Sequence, residues 1–245
     1  MKQTTIVFGG TIRDVEKYIE TSLQNIDRCG QKFKDYSVIL YENDSKDRTR
    51  SILQALKRPN YHYIFEDSVK EPHRTERLAR GRNKILDKLR EINQNDAYEY
   101  FVMIDLDDVN SSGMFVETIE SCFQVQNWDV LTGNQSNRYY DLWALRKKHD
   151  MEYDCWKKVK EHSDDPDAIE KYVYSKFPNY PVGQLLEVDS AFGGIAIYRI
   201  RAIPDSCNYI GLYDDGNLQC EHVPFHKCIK DNGGSIFINT SFLTS

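Results

Sequence analysis

The chain is organised around the stretch Phe101-Val102-Met103-Ile104-Asp105-Leu106-Asp107-Asp108-Val109, in which four apolar residues run directly into acidic ones. A short apolar run of this kind is typical of a buried strand. Side chains alternate between the two faces of a strand, so Asp105 and Asp107 should point the same way if the extended conformation continues. Two such carboxylates offer oxygen ligands to Mg²⁺ or Mn²⁺. The stretch predicts either a metal site at a strand end or a strand that ends in a polar turn.

Strand and helix patterns alternate in front of this stretch. The predicted strands cover residues 4–8, 36–41 and 61–65, and the predicted helices cover residues 13–28, the apolar positions Ile52, Leu53 and Leu56, and residues 74–92. A helix between successive strands is the pattern of a parallel sheet with right-handed crossovers. Ligands of such sheets bind beyond the carboxyl ends of the strands. The first half therefore predicts an α/β fold with its functional residues along one edge of the sheet.

Three clusters stand at predicted strand ends: Gly9-Gly10, Glu42-Asn43-Asp44 and Asp105-Leu106-Asp107. We expect the two glycines to end the first strand. Amide and carboxylate side chains supply the donors and acceptors that a nucleobase or a ribose needs, although the second cluster also fits a capped turn. Because the three clusters should share one edge, a ligand site there is the main prediction from pattern alone.

The second half of the chain is less regular. The predicted elements are a helix over 112–126, a strand over 129–132, a strand within 189–199 that follows Gly193-Gly194, a short helix that ends at Gly233-Gly234, and a strand over 236–238. No internal repeat, low-complexity tract or linker interrupts the sequence, so we expect a single domain over residues 1–245.

Composition limits the classes of partner. The net charge of −6 and the pI of about 5.6 argue against nucleic acid as the main partner. No apolar run is long enough for a transmembrane segment, and the polar N-terminus does not fit a signal peptide. The cysteines are scattered without a Cys-x-x-Cys pair: Cys29, Cys122, Cys155, Cys207, Cys220 and Cys228. We therefore expect free thiols and a cytoplasmic location.

The predicted helix over 74–92 carries the cationic run Arg77-Leu78-Ala79-Arg80-Gly81-Arg82-Asn83. Arg77 and Arg80 are three residues apart and share a helix face, and guanidinium groups bind phosphate oxygens in a bidentate manner. Gly81 is unfavourable inside a helix by about 1 kcal/mol relative to alanine, so it often marks a close approach of another element. The run fits either a diphosphate-binding face or a solvated basic surface.

Two further groups are candidates for chemistry. Glu221-His222 places a carboxylate beside an imidazole, which could complete a metal site or act as an acid or base, or have a purely structural role. The aromatic residues that could stack on a sugar, or simply pack in the core, are Tyr139, Tyr140, Trp143 and Trp156.

The stretch Tyr41-Glu42-Asn43-Asp44-Ser45-Lys46-Asp47-Arg48-Thr49 resembles the second-strand motif of GT-A glycosyltransferases, including its Ser-x-Asp-x-Thr portion. The string is similar to that of the capsule-associated mannosyltransferase-like proteins of fungi, and so is the segment 78–83. Asp105-Leu106-Asp107 matches the Asp-x-Asp motif of the family. Phe192-Gly193-Gly194 and Cys220-Glu221-His222 resemble later landmarks of short bacterial and viral glycosyltransferases.

The resemblance implies a GT-A (Rossmann-like) fold, with a mixed, mostly parallel central sheet flanked by helices. Residues 1–110 would bind a UDP- or GDP-sugar, residues 111–245 would bind a glycan acceptor, and the cofactor would be Mn²⁺ or Mg²⁺. The implied donor-binding residues are Gly9, Gly10, Glu42, Asn43, Asp44, Arg77, Asn83, Asp105 and Leu106. The expected metal ligands are Asp105, Asp107 and His222, and the candidates for a catalytic base in an inverting reaction are Glu221 and Asp189.

Three other functions fit parts of the sequence. In a haloacid-dehalogenase-type phosphatase, Asp105 would be the nucleophile, Asp107 the acid and Tyr213-Asp214-Asp215-Gly216 a late acidic pair, but that motif belongs on the first strand. The segment 8–13 is faintly similar to the glycine-rich loop of nucleotidyltransferases, without its lysine. A non-catalytic carbohydrate-binding module would need neither a metal site nor a nucleotide site.

Overall fold

The computed structural model describes residues 1–244, which form eight strands and seven α-helices. The strands are β1 (Thr5–Ile12), β2 (Asp35–Asn43), β3 (Tyr61–Glu66), β4 (Tyr100–Ile104), β5 (Val130–Gln135), β6 (Leu185–Glu187), β7 (Ile195–Arg199) and β8 (Ile236–Thr244). The helices are α1 (Ile19–Gly30), α2 (Thr49–Ala55), α3 (Arg74–Ile92), α4 (Met114–Thr118), α5 (Cys155–Glu161), α6 (Ala168–Tyr172) and α7 (His222–Asp231).

All eight strands belong to one sheet with the order β3-β2-β1-β4-β7-β5-β8-β6. The first four strands in sequence are parallel to one another. β7 is antiparallel to both β4 and β5, β5 is parallel to β8, and β6 is antiparallel to β8. The predicted fold class, a mixed sheet with a parallel first half, is confirmed.

The core consists of two apolar layers, one on each face of the sheet. On one face, Phe101 and Met103 of β4 pack with the apolar side of α3, including Ile85. On the other face, Val102 and Ile104 pack with residues of α1. Side chains alternate between the two faces of β4, and a helix packs on each face of the sheet. Residue 105 follows Met103 by two positions and is therefore directed toward the α3 side.

The expectation that Gly9-Gly10 ends the first strand is wrong, because β1 continues to Ile12. A Cβ atom on Gly9 would lie 2.6 Å from Cγ2 of Ile85, and one on Gly10 would lie 2.5 Å from Cδ1 of Leu106. The glycines are required by the close approach of α3 and of the loop after β4, and not by a turn.

The helix boundaries differ from expectation at two places. α3 has the predicted bounds, but α1 begins at Ile19 rather than near residue 13, because Asp14 has a φ of 52° and residues 13–18 form a loop. The helix predicted over 112–126 is divided into α4 and a 3₁₀ turn over Ile119–Phe123. The loop after β1 is thereby free to line a cavity at the strand ends.

The expectation of free cysteines throughout is wrong for one pair. Cys207 and Cys228 form a disulfide with an S–S distance of 2.07 Å. The segment before Tyr209 folds across α7, which brings together two cysteines that are 21 residues apart. This bond removes the main argument for a reducing compartment. Within residues 1–244, no helix combines the length and the apolar character needed to cross a bilayer.

Candidate functional site

The acidic loop after β4 is fixed to the segment that precedes β7. The backbone N–H of Asp105 donates to the carbonyl of Gly194 at 2.9 Å. The buried amide of Asn110 donates to the carbonyls of both Asp105 and Gly194 at 3.0 Å. Gly193 and Gly194 have φ values of 65° and 84°, which non-glycine residues rarely adopt, so this crossing needs both glycines. The position of Asp105 therefore depends on a segment about ninety residues later.

Two cavities adjoin the acidic loop. The first, here called the Arg77 cavity, has a volume of about 280 Å³ and is lined by residues 11–15, Asn43, Arg74, Arg77, Leu78 and residues 105–107. The second, here called the Glu221 cavity, has a volume of about 220 Å³ and is lined by Arg74, Leu78, Arg82, Asp105, Asp107, Val109, Tyr140, Asp141, Trp143, Phe192 and residues 220–222. Arg74, Leu78, Asp105 and Asp107 line both cavities, so the two acidic side chains stand between them.

The Arg77 cavity has three arginines in its lining. Arg13, Arg74 and Arg77 line it together with the carboxylates of Asp14, Asp105 and Asp107, and Arg13 lies 3.6 Å from Asp14. Nη1 of Arg77 donates to the carbonyls of Glu71 and Pro72, each at 2.8 Å, which holds this guanidinium at the start of α3. Guanidinium groups bind phosphate and carboxylate oxygens, so the cavity is suited to an anionic ligand.

Arg82 lines the Glu221 cavity, and no individual role was assigned to it from the sequence alone. Its side chain is only 3% exposed. Nη2 lies 3.0 Å from Oδ1 of Asp105, and Nη1 is paired with Oε1 of Glu221. The guanidinium also lies over the ring of Phe192, 5.1 Å from its centroid. The buried guanidinium of Arg82 therefore pairs with both Asp105, a candidate metal ligand, and Glu221, a candidate base.

A signal for Arg82 was present in the sequence. Arg74, Leu78 and Arg82 are spaced by four residues and so form one stripe of α3. All three line the Glu221 cavity. The pair selected from the sequence, Arg77 and Arg80, lies on a different stripe, and Arg80 bonds Glu66 and Glu71 outside both cavities.

Asp141 is a second residue that sequence reasoning missed. Its carboxylate accepts the backbone N–H of Gly193 at 3.0 Å and that of Ala144 at 3.4 Å. Burial raises the pKa of Asp141 above its usual range, although these backbone donors lower it. Burial also raises the pKa of Asp105 to about 6, Arg82 lowers it, and the charges of Asp107 and Asp141 raise it further. The three carboxylates thus lie together in the lining of the Glu221 cavity.

His222 lines the Glu221 cavity as a neutral imidazole. Its ring stacks on that of Phe192 with centroids 3.8 Å apart. Burial, together with the charge of Arg82, holds the pKa of His222 well below its usual range. Both ring nitrogens are buried and have no hydrogen-bond partner. Buried polar atoms are nearly always paired, so these nitrogens are available to a ligand.

Metal-binding donors are present around the cavity, but they are not assembled. Among residues 1–244, no three or more His, Cys, Asp or Glu side chains are grouped as a metal site. Asp105 and Asp107 therefore present carboxylates to both cavities without a third protein ligand in place.

Several residues expected to contact the donor are engaged elsewhere. Glu42 is fully buried, pairs with Nε of Arg50 and accepts the backbone N–H of Ser45 at 3.0 Å. Asp44 accepts the backbone N–H of Ser68 at 2.6 Å. Gly9 and Gly10 pack inside the sheet, as described above. Of the cluster Glu42-Asn43-Asp44 at the end of β2, only Asn43 lines the Arg77 cavity.

Asn83 and Asp189 also lie outside both cavities. The side chain of Asn83 donates to the carbonyl of Tyr209 at 2.9 Å and accepts its N–H at 2.8 Å. The side chain of Asp189 is 66% exposed and lies 3.3 Å from Nζ of Lys230. Glu221, by contrast, lies in the cavity that adjoins Asp105.

Neither a known protein family nor a curated protein sequence matches the chain. Solved structures do. The mannosyltransferase PcManGT from Pyrobaculum calidifontis, in complex with GDP-Man and Mn²⁺, is 13% identical with a TM-score of 0.53, over 99% of this chain and 56% of that one. The chain has the GT-A fold. TarS 1-349 from S. aureus, in complex with UDP-GlcNAc, is 15% identical with a TM-score of 0.53, over 96% of this chain and 56% of that one.

A third structure shares the fold. The glucosyl-3-phosphoglycerate synthase from Mycobacterium tuberculosis, in complex with Mn²⁺, UDP and phosphoglyceric acid, is 11% identical with a TM-score of 0.50, over 99% of this chain and 70% of that one. The present chain spans a little over half the length of PcManGT and of the TarS chain. At these identities the likeness establishes the fold, and function has to be argued from the site.

Proposed function

We propose that the chain transfers a sugar from a nucleotide-diphosphate sugar to a hydroxyl group of a glycan, with Mn²⁺ or Mg²⁺ as cofactor. The observation that carries this proposal is the meeting of two chemically different cavities at Asp105 and Asp107. The first has three arginines, Arg13, Arg74 and Arg77, among its lining residues. The second adds an imidazole, aromatic rings and the carboxylates of Asp141 and Glu221 to the shared residues and Arg82. The bond between a diphosphate and a sugar would lie at their shared wall, at the carboxyl end of β4, where α/β sheets bind ligands.

The Arg77 cavity is the proposed donor site. Arg13, Arg74 and Arg77 would neutralise the diphosphate. Asn43 offers an amide donor and acceptor to the base or the ribose, and residues 11–15 line the same cavity. The complexes of PcManGT with GDP-Man and of TarS with UDP-GlcNAc support a nucleotide-sugar ligand for this fold.

The donor set fits a divalent cation. Asp105 and Asp107 provide carboxylate oxygens, and His222 provides neutral nitrogens without partners. Carboxylate and imidazole suit Mn²⁺, and Mg²⁺ is commonly held by one or two carboxylates together with substrate phosphates. An assembled set of three protein ligands is therefore not required before the donor binds. When bound, the ion would supply electrostatic stabilisation for the charge on the departing diphosphate.

In an inverting transfer, Glu221 is the proposed base. The acceptor oxygen would attack the anomeric carbon while its proton passes to the Glu221 carboxylate. The bond from that carbon to the diphosphate would break, and Arg74 and Arg77 would take up the negative charge of the leaving group. Arg82, which is paired with Glu221, would orient this carboxylate. A retaining transfer would not need this base.

The rival functions fit the geometry less well. For a haloacid-dehalogenase-type phosphatase, Asp105 follows the fourth strand rather than the first and is paired with Arg82. The late acidic residue Asp215 pairs with Lys157 at 3.3 Å, outside the Glu221 cavity. A carbohydrate-binding module would have no use for the three arginines that line the Arg77 cavity.

Donor screening by thermal shift tests the proposal. UDP, GDP and CDP are each added with and without Mn²⁺, and at least one should raise the midpoint in a Mn²⁺-dependent manner. At a hundred times the Kd, the expected stabilisation is about 2.7 kcal/mol. Asp189→Asn should leave this shift unchanged, whereas Asp107→Asn should remove its Mn²⁺-dependent part. The absence of a shift with all three nucleotides would overturn the proposal.

A cytoplasmic location stays a prediction from the sequence. Alkylation of free thiols in intact cells tests it, because a cytoplasmic chain should keep Cys207 and Cys228 reduced.

A further inference from the structure

A third cavity shares Trp143 with the Glu221 cavity. It has a volume of about 360 Å³ and is here called the Trp156 cavity, defined by Trp143, Trp156, Lys157, Lys160, Asn217 and Leu218. Trp143 lines both cavities and thus forms the partition between them. A ligand that reaches past Trp143 from the proposed transfer site would therefore lie against Trp156.

One buried carboxylate fixes both tryptophans. Oδ2 of Asp154 accepts Nε1–H of Trp143 at 3.0 Å. Its Oδ1 accepts the backbone N–H groups of Trp156 and Lys157, each at 3.0 Å, which caps the start of α5. Asp154 also accepts the hydroxyl of Tyr213 at 3.0 Å. The indole that divides the cavities and the backbone that carries the second indole are thereby held before any ligand binds, which lowers the ordering cost of binding.

The wall of the Trp156 cavity combines apolar faces with hydrogen-bond donors. Trp156 and Leu218 line the same cavity and are each 42% exposed. Nζ of Lys160 donates to the side chain of Asn217 at 2.5 Å, and Nζ of Lys157 lies 3.3 Å from Asp215. An amphipathic ring with a few fixed polar groups around it is suited to a ligand that has both an apolar face and hydroxyl groups.

We propose that the Trp156 cavity binds a second sugar ring of the acceptor, so that the preferred acceptor is an oligosaccharide and not a monosaccharide. This inference rests on the proposed function, since it takes the acceptor hydroxyl to lie beside Glu221. The C–H face of the distal sugar packs on the indole of Trp156, and its hydroxyl groups accept hydrogen bonds from Lys157 and Lys160. Trp143 separates the ring that reacts from the ring that anchors it.

The test measures binding of the full chain, with Mn²⁺ and UDP or GDP present, to a printed array of defined mono- to hexasaccharides of mannose, glucose, galactose, N-acetylglucosamine and uronic acids. The strongest binder is then titrated by calorimetry. Trp156→Ala is compared with Tyr174→Ala, which removes an aromatic ring that is 53% exposed outside the three cavities. Lys160→Ala provides a second, milder change within the Trp156 cavity.

The wild-type chain should bind at least one oligosaccharide more tightly than its component monosaccharide. Trp156→Ala should weaken that binding about tenfold, which corresponds to about 1.4 kcal/mol, and Lys160→Ala should weaken it about threefold. Tyr174→Ala should bind as the wild type does. Equal binding by Trp156→Ala and the wild type overturns the inference, and so does an array on which oligosaccharides bind no better than monosaccharides.

The nucleotide thermal shift, measured on the same preparations, separates the two proposals. If a nucleotide stabilises the chain with Mn²⁺ while Trp156→Ala has no effect on saccharide binding, only the inference about the acceptor fails. If no nucleotide stabilises the chain, the proposed transfer fails, and the acceptor inference fails with it.

Discussion

The Arg77 and Glu221 cavities share four residues but are built in different ways. All residues that line the Arg77 cavity lie between positions 11 and 107, and most of them directly follow a strand or begin α3. The Glu221 cavity combines α3 with the segment 140–143, with Phe192 and with the start of α7. The first cavity follows from the local geometry of a parallel sheet. The second depends on contacts between segments that are far apart in the sequence.

α3 connects the two cavities. Its Arg77 faces the first, its Arg82 faces the second, and its Arg74 and Leu78 line both. Glu221 reaches this helix through Arg82. A change on the Arg82 side should therefore affect packing of the whole molecule, whereas a change on the Arg77 side should affect mainly the ligand.

Replacement of Arg82 should have the largest effect of the changes that test this difference. Arg82→Met leaves Asp105 and Glu221 without their buried cation, and removal of one partner from a buried ion pair typically destabilises a protein by about 3–5 kcal/mol. We expect a loss of about 4 kcal/mol in the free energy of unfolding, measured with urea. Arg77→Met is the matched control and should cost about 1 kcal/mol or less, because its guanidinium bonds only two backbone carbonyls. Equal losses in the two variants would remove the distinction between the cavities.

The second prediction concerns the wall that the cavities share. Asp107→Asn should lower the rate of nucleotide release from whichever nucleotide sugar binds by about a hundred- to a thousandfold, the range seen when one electrostatic group is removed from an active site. Stability should change little. Asp108→Asn alters the neighbouring, exposed carboxylate and should retain most of the activity. If Asp108→Asn is as inactive as Asp107→Asn, the role assigned to Asp107 at the shared wall is wrong.

The Arg77 cavity also shows what the sequence could predict. The parallel strands, the bounds of α3 and the close approach at Gly81 all follow from local patterns. A Cβ atom on Gly81 would lie 2.6 Å from the ring of Tyr41, as a glycine inside a helix indicated. The roles of individual polar residues could not be predicted from these local patterns. Asn83 had the right residue type, but its partner is the backbone of Tyr209, 126 positions later, and no local pattern reports such a contact.

The Glu221 cavity shows more clearly what could not be predicted from the sequence. Asp141 lies in an irregular segment and owes its position to the backbone of Gly193, 52 residues later. Arg82 could have been selected from its spacing to Arg74, but its two acidic partners could not. Long-range packing sets these contacts, whereas strand alternation and helix periodicity set the first cavity.

Reduction of the Cys207–Cys228 disulfide measures how much this bond contributes to the stability of the fold beside the Glu221 cavity. The bond ties the segment before Tyr209 to α7, and Tyr209 stacks on Phe225 of that helix with centroids 4.1 Å apart. For a loop of 21 residues, removal of the disulfide should cost about 3 kcal/mol. The double variant Cys207→Ser, Cys228→Ser should lose this amount in oxidising buffer, measured with urea. The wild type in dithiothreitol should match it, and an unchanged midpoint in fully reduced wild type would contradict the prediction.

The smallest expected effect concerns the ion pair between Glu66 and Arg80, whose contribution to stability should fall at low pH. Arg80 bonds both carboxylate oxygens of Glu66, at 2.6 and 2.8 Å, and lowers the pKa of Glu66 to about 2 from an ordinary 4.5, although partial burial raises it and the hydroxyl of Tyr41 lowers it further. A carboxylate with a lowered folded pKa stabilises the fold above its unfolded pKa. That stabilisation is lost as the pH falls from 4.5 toward 2.

Glu66→Gln should therefore be less stable than the wild type by about 2 kcal/mol at pH 7, a value reduced for the partial exposure of Arg80. The difference between the two proteins should shrink by about half or more between pH 5 and pH 3, measured by urea unfolding at each pH. Glu91→Gln is the control, because its carboxylate is 63% exposed and pairs only with Lys88 on the helix surface. A difference that is the same at pH 7 and pH 3 would mean that shape rather than charge accounts for the effect of Glu66.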